Sequence, residues 1–357
     1  MMTYRFAQPV VALIFFSACI IAGPVHAWNT LTDNLDLHCS QHAAVLDCQY
    51  RTLDGTAIKS ISAAADGAEL PVTDTANYSD NQNTTAILFM VDTSDPARQN
   101  VIEKNKEHIK SLINNTKPQY KLGLASFDKV LKLESPLGAS SFLLSKSLED
   151  LKAKGKTTEL YRNLLKAIAV LKLTDADRKV IYLFSDGQAE DRAYFHSDVV
   201  NSARKFGIVI NTIGYPRSIS LSVALQTLRR ISEETGGRFI ETDINYNLPA
   251  DYFNSAYSNI DNGGRFTLDL KEIETNKIQL NFNNAVITET ISVPIKPQLK
   301  KPTVPTVEKQ VTVQTSVPPA TTEPAPIAIV TKQGEQQSIN LWLWYGLPAS
   351  FIIIIVF

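Results

Sequence analysis

The chain of 357 residues is poor in the side chains that most often do chemistry, with 3 Cys, 5 His and 3 Met. It has no Gly-x-Ser-x-Gly elbow, no phosphate-binding glycine loop and no dinucleotide fingerprint. Serine hydrolases, P-loop NTPases and dinucleotide oxidoreductases therefore lack their sequence basis here. Charge of one sign is also missing. Lys and Arg number 35 against 36 Asp and Glu, a net charge of -1, which argues against nucleic acid or an acidic lipid surface as partner. No zinc-ligand spacing occurs. His38 and His42 flank Cys39 but read as surface imidazoles on a hairpin. His108, among Lys and Glu in a helical stretch, reads as a solvated residue, as do the clusters Lys104, Lys106, Glu107 and Glu190, Asp191, Arg192.

What is present divides the chain into six segments. Residues 1–27 read as a secretory signal: Arg5, an apolar run over 10–23, and the small-residue cleavage site Val25-His26-Ala27. Phe16-Ser17-Ala18-Cys19 is a poor lipobox, and lipidation at Cys19 is the rival reading. Residues 28–83 show short strands and polar turns. Two apolar runs there carry Cys39 and Cys48, the cysteines left after the signal, and predict a hairpin stapled by a disulfide in an oxidising compartment; two free buried thiols are the alternative. Residues 263–293 return to strand alternation and are expected to pair with 28–83, making the intervening domain an insertion.

Residues 294–338, rich in Pro, Thr and Val, cannot bury enough apolar surface to fold and read as an extended linker. Residues 339–357 are uncharged and carry Trp342, Trp344 and Tyr345. Aromatics of this kind suit a membrane interface, and the length is near the lower limit of about 17 residues for a span. The expectation is a single-pass membrane protein whose folded body lies outside the cytoplasm, in the periplasm or at the cell surface. No Lys or Arg follows the span, so either its tail is short or the sequence stops within the helix.

Residues 84–262 alternate strands and helices. Apolar runs at 85–91, 120–127, 130–133, 180–184, 208–213 and 238–242 read as strands. Helical spacing occupies 97–115, 142–153, 159–173, 193–206, 223–235 and 249–259. That order predicts an α/β domain with a doubly wound, mostly parallel sheet and helices on both faces. Two strands end in acidic turns, Asp92-Thr93-Ser94-Asp95-Pro96 and Ser185-Asp186-Gly187, and the polar turn Gly155-Lys156-Thr157-Thr158 opens a helix between them. Ligands of open α/β sheets bind at the carboxyl ends of the strands. Carboxylates and hydroxyls gathered there are hard donors suited to a divalent cation such as Mg2+. Each residue also has a plainer use, since Ser94, Asp95 and the threonines suit helix caps and Asp186-Gly187 suits a turn.

Over residues 84–262 the chain resembles the von Willebrand factor A domain, in element order and in three separated motifs. The resemblance implies a metal-ion-dependent adhesion site with Asp92 and Ser94 from the first motif, Thr158 from the middle loop and Asp186 after the fourth strand. It departs from the family at Pro96, which stands where a second serine would supply a ligand; water can take that place on Mg2+. The implied cofactor is Mg2+, with Mn2+ or Ca2+ as alternatives. The implied action is recognition of a protein partner, through an Asp or Glu carboxylate on that partner, without catalysis. A metal-independent scaffold of an envelope complex is the runner-up. A hydrolase using the ion to activate water lacks a visible general base.

Overall fold

The structure is a computed structural model that describes residues 26–80, 83–217, 223–284 and 288–297. The expected linker beyond residue 297, the expected span with Trp342, Trp344 and Tyr345, and nearly all of the expected signal, Cys19 included, lie outside the described residues. The first residues expected in the linker are instead folded, Pro294 pairing with Lys277 and Ile295 buried. Among the described residues no helix is long and apolar enough to cross a membrane.

The amino-terminal strands are β1 (His26–Leu31), β2 (Leu35–His42), β3 (Val45–Thr52), β4 (Ser60–Ala65), β5 (Ala68–Leu70) and β6 (Val72–Asn77). β1 begins two residues before the expected mature start at Trp28. The α/β domain follows as β7 (Thr85–Asp92), α1 (Gln99–Asn114), β8 (Tyr120–Phe127), β9 (Leu131–Ser135), α2 (Ser141–Glu149), α3 (Leu160–Lys172), β10 (Arg178–Ser185), α4 (His196–Lys205), β11 (Ile208–Gly214), α5 (Val223–Glu234), β12 (Phe239–Glu241), α6 (Tyr252–Ser255) and α7 (Ser258–Asp261). The described chain closes with β13 (Gly263–Asp269), β14 (Lys277–Asn283) and β15 (Thr288–Pro294).

The central sheet has the order β12-β11-β10-β7-β8-β9, parallel except for β9 at the edge. The first seven residues of β7, the middle strand, are buried, as expected of a strand covered on both faces. Ile87, Phe89 and Val91 point to one face, packed with Ile109 and Leu112 of α1 and Leu148 of α2. Ala86, Leu88 and Met90 point to the other, under Leu164 and Ile168 of α3, Val199 of α4 and Leu228 of α5. This is the doubly wound α/β architecture that the alternation predicts.

The remaining strands form two sheets, β1-β2-β3-β13-β6 and β15-β14-β4-β5, packed face to face. β13 lies between β3 and β6, with Phe266 opposite Cys48, and β14 lies between β15 and β4. Each sheet thus draws strands from both sides of the α/β domain. Tyr50, Phe266 and Phe282 meet in the shared core, with ring centroids 5.5 Å apart for Tyr50–Phe282 and 6.1 Å for Phe266–Phe282. Cys39 and Cys48 are directly opposed on β2 and β3, and their sulfurs are bonded.

Several helix bounds differ from expectation because tertiary donors and acceptors intervene. The helix expected over 249–259 is split in two. Arg238 Nη1 takes the Ser255 carbonyl at 2.8 Å and the Tyr182 hydroxyl takes that of Ala256 at 2.6 Å, so both are claimed by side chains. The helix expected over 142–153 stops at Glu149, and the amides of Ala153, Lys154 and Gly155 turn instead to Gln99 Oε1 and the Thr93 carbonyl. The helix expected from 193 starts at His196, where the Asp198 carboxylate accepts the Phe195 amide at 2.9 Å. His108 and Lys106 are not solvated. Both are 7% exposed; His108 Nδ1 lies 2.7 Å from the Tyr215 hydroxyl, and Lys106 Nζ donates to the Glu149 carbonyl at 2.9 Å. Burial pushes the His108 imidazole down to about 4.

Candidate metal and recognition site

β7 and β10 run parallel and adjacent, so Asp92 and the Ser185-Asp186 step come out side by side at the carboxyl rim. Asp92 Oδ1 accepts the Ser94 amide at 3.0 Å, which folds the chain back over the strand end, and Asp92 Oδ2 accepts the Ser185 hydroxyl at 2.7 Å. Next to it, the Thr93 carbonyl accepts the amides of Lys154 at 3.0 Å and Gly155 at 2.9 Å, drawing the middle loop onto the rim. Glycine is required at 155, because a Cβ there would lie 2.3 Å from the Asp128 Cβ. Three residues on, Thr158 Oγ1 donates to Ser94 Oγ at 2.6 Å. The Thr158 amide and carbonyl are both held by Glu190, through Oε2 at 2.9 Å and the amide at 2.8 Å. Asp191 accepts the amides of Tyr161 and Arg162 at the start of α3. Glu190 and Asp191, expected to be solvated charge, instead fix the middle loop and its helix.

Asp186 is 6% exposed and its Oδ1 accepts the Gln188 amide at 3.0 Å. The turn depends on Gly187, at φ +80°, where a Cβ would lie 2.1 Å from the Ala224 carbonyl oxygen. Asp186 Oδ2 accepts from two guanidinium groups, Arg98 Nη1 at 2.6 Å and Arg217 Nε. Arg98 also donates to the Tyr215 carbonyl at 3.1 Å, and Arg217 reaches Asp95 Oδ2 at 2.7 Å. Asp95 in turn caps the short 3-10 turn Pro96–Arg98, with proline in its first turn.

All four expected residues, Asp92, Ser94, Thr158 and Asp186, line or adjoin this one cleft. Ser185, Arg98 and Arg217 complete it and were not singled out from the sequence. Ser185 had a signal, since it occupies the last strand position before Asp186. Arg98 and Arg217 had none, because they lie 88 and 31 residues from the carboxylate they hold.

The two carboxylates differ in their partners. Asp186 is neutralised by Arg98 and Arg217, whereas among the described residues Asp92 receives hydrogen bonds only from neutral groups, Ser94 and Ser185. Burial, and next the charge of Asp186, push the Asp92 carboxyl up to about 6 despite those bonds. A carboxylate so placed is short of positive charge, and it stands beside two hydroxyl oxygens 2.6 Å apart. Asp92, Ser94 and Thr158 therefore fit a hard cation. The Asp186 side of the cleft already holds its cations, and Pro96 offers no oxygen from its side chain. Among the described residues no three carboxylate, imidazole or thiolate groups cluster around a common point.

Residues 86–252 match the family model of the von Willebrand factor type A domain. Among curated proteins no relative matches this chain. Similar solved structures include an aerotolerance-related membrane protein from Bacteroides fragilis, 15% identical over 49% of this chain and 98% of its own, with TM-score 0.42. The conserved hypothetical protein BatB from Bacteroides thetaiotaomicron is 14% identical over 49% of this chain and 95% of its own, with TM-score 0.41. Proximal thread matrix protein 1 from the mussel byssus, with a zinc-occupied MIDAS motif, is 17% identical over 51% of this chain and 47% of its own, with TM-score 0.42. The family match, the doubly wound sheet and the rim motifs together identify residues 86–252 as a von Willebrand factor type A domain.

Proposed function

We propose that this chain is a tethered recognition module that binds a protein partner at the carboxyl rim of its α/β domain, with a divalent cation at Asp92. The observation behind this reading is the charge-deficient carboxylate of Asp92, set against the paired hydroxyls of Ser94 and Thr158. In this reading Asp92, Ser94 and Thr158 hold Mg2+, with Mn2+ or Ca2+ as alternatives, and Asp186, paired with Arg98 and Arg217, reaches the ion only by exchanging a guanidinium for it. The ion supplies an electrophilic point for an Asp or Glu carboxylate of the partner. The surrounding loops choose the partner, and Glu190 and Asp191 keep the Thr158 loop in register. The chemistry is binding without turnover, because among the described residues no group at the rim is placed as a general base apart from its own carboxylates. The Pro-rich segment and the apolar carboxyl-terminal run would hold the module outside the cytoplasmic membrane.

Calorimetric titration of Mg2+ and Mn2+ onto the full chain tests the site. Saturable binding that disappears in Asp92→Ala and weakens in Ser94→Ala is expected; equal affinity in Asp92→Ala removes the site. A second reading is a metal-independent scaffold, favoured by the two guanidinium groups that already neutralise Asp186. Partner capture insensitive to chelator would select that reading.

A further inference from the structure

At the amino ends of the parallel strands, opposite the rim, the α/β domain meets the two-sheet region. A small cavity there is lined by Arg51, Tyr78, Asp177, Arg178 and Lys179, with His38 at its side. Arg178, the first residue of β10, is 4% exposed, and its Nη1 donates to the Ile260 carbonyl at 3.0 Å and Asp261 Oδ1 at 3.1 Å. Its guanidinium lies over the Tyr78 ring, 4.9 Å from the centroid. Among the described residues, Nε and Nη2 of Arg178 are buried without a partner, and the same is true of Nη1 of Arg51, a residue 6% exposed. Three bare donor nitrogens on two residues that line the same cavity are costly unless something accepts from them. Nε and Nη2 form the side of the planar guanidinium fork, whose parallel N–H bonds suit two-pronged contact with an anion.

The charges nearby have the same sign of imbalance. Arg51 and Arg204 share Asp36, and Arg178 and Lys117 share Asp261. Asp177 is committed elsewhere: it accepts the Thr84 amide at 2.7 Å and faces Arg265 at 3.5 Å. The space open to the centre of a water-sized body is about 20 Å³. That admits one or two such bodies, the size of a single halide ion or water. A water accepts from at most two of these N–H groups, whereas a spherical anion accepts from all of them at once.

We propose that this cavity is a binding site for a monoatomic, monovalent anion of chloride type, held by Nε and Nη2 of Arg178 and Nη1 of Arg51. The ion ties the two-sheet region to the α/β domain, since Arg51 comes from β3 and Arg178 from β10. The test compares thermal unfolding of the full chain in sodium chloride and in sodium gluconate at equal ionic strength. A saturable rise of about 5 °C at a hundredfold excess over the dissociation constant is expected in chloride alone, and Arg178→Gln should abolish it. Bromide-edge anomalous diffraction from wild-type crystals grown in bromide should give a peak within hydrogen-bond reach of Arg178 Nε and Nη2. Should R178Q fail to fold, that wild-type measurement still decides. Equal melting temperatures in the two salts, or an ordered water with no bromide peak, overturns the proposal.

Discussion

Replacing Asp36 by asparagine tests how the inserted domain is fastened. Asp36 is fully buried on β2 and bonds the Arg51 guanidinium, with His38 Nε2 at 3.1 Å and Arg204 Nη1 at 3.7 Å. Arg204 belongs to α4, so this carboxylate joins the two-sheet region to the helix layer. Asn removes the charge and keeps the shape, leaving buried guanidinium groups without a counter-ion. Breaking a buried pair in this way costs about 3–5 kcal/mol. In a domain of this size that lowers Tm by about 10 °C.

The pH dependence has a defined sign. Burial alone would raise the Asp36 carboxyl, but Arg51, His38 and Arg204 outweigh it and hold it well below the usual carboxylate range. Its stabilisation is therefore present above the unfolded value of about 3.9 and lost as pH falls through the lower folded value. Urea unfolding of wild type and Asp36→Asn at pH 7 and pH 3 should show a wide gap at pH 7 that narrows only at the acid end. The double variant Asp36→Leu/Arg51→Met should recover part of the loss, because it removes the stranded charge along with its partner. A loss below about 1 kcal/mol for Asp36→Asn at pH 7 would refute the account of the seam.

Three further predictions concern other parts of the chain. His108, pushed down to about 4 by burial, favours the neutral form on folding, so stability should fall by about 3 kcal/mol as pH drops from 6.5 toward 4; a His108→Gln variant should lose this slope in acid unfolding curves. Gly155→Ala drives a Cβ into Asp128 and should cost about 2 kcal/mol in urea melts, with loosened amide protection over residues 154–158 that a remote Gly→Ala change does not produce. Reducing the Cys39–Cys48 bridge, which closes a separation of 9 residues, should cost at most about 3 kcal/mol, because β2 and β3 are already paired on both sides of it; loss of folding on reduction would contradict this.

The α/β domain was legible in the sequence wherever a periodic apolar signal could be read without tertiary context. The all-apolar run 85–91 and the strand–helix alternation carry the doubly wound sheet, and the acidic turns mark its working rim. Helix ends were less legible, because the carbonyls of Ser255 and Ala256 are claimed by Arg238 and Tyr182, which are distant in sequence. His108 had a readable signal that its charged neighbours masked: it falls on the helical stripe Val101, Asn105, His108, Leu112, every member of which is buried. The role of Glu190 and Asp191 follows from backbone amides that only the folded loop brings within reach. The arginine pair on Asp186 was not legible at all, since charge pairing over such separations has no local pattern.

The strand order of the two-sheet region also dictates a timetable. β13 fills the slot between β3 and β6, and Thr52 bonds the Asn262 carbonyl across 210 residues of chain. As the polypeptide emerges from the ribosome, β3 and β6 must wait with open hydrogen-bonding edges while the whole α/β domain is still being made. Waiting edges of this kind recruit stray strands. Nascent chains halted before residue 263 should therefore be the aggregation-prone species, and strands translated after the α/β domain are the ones that seal those translated before it.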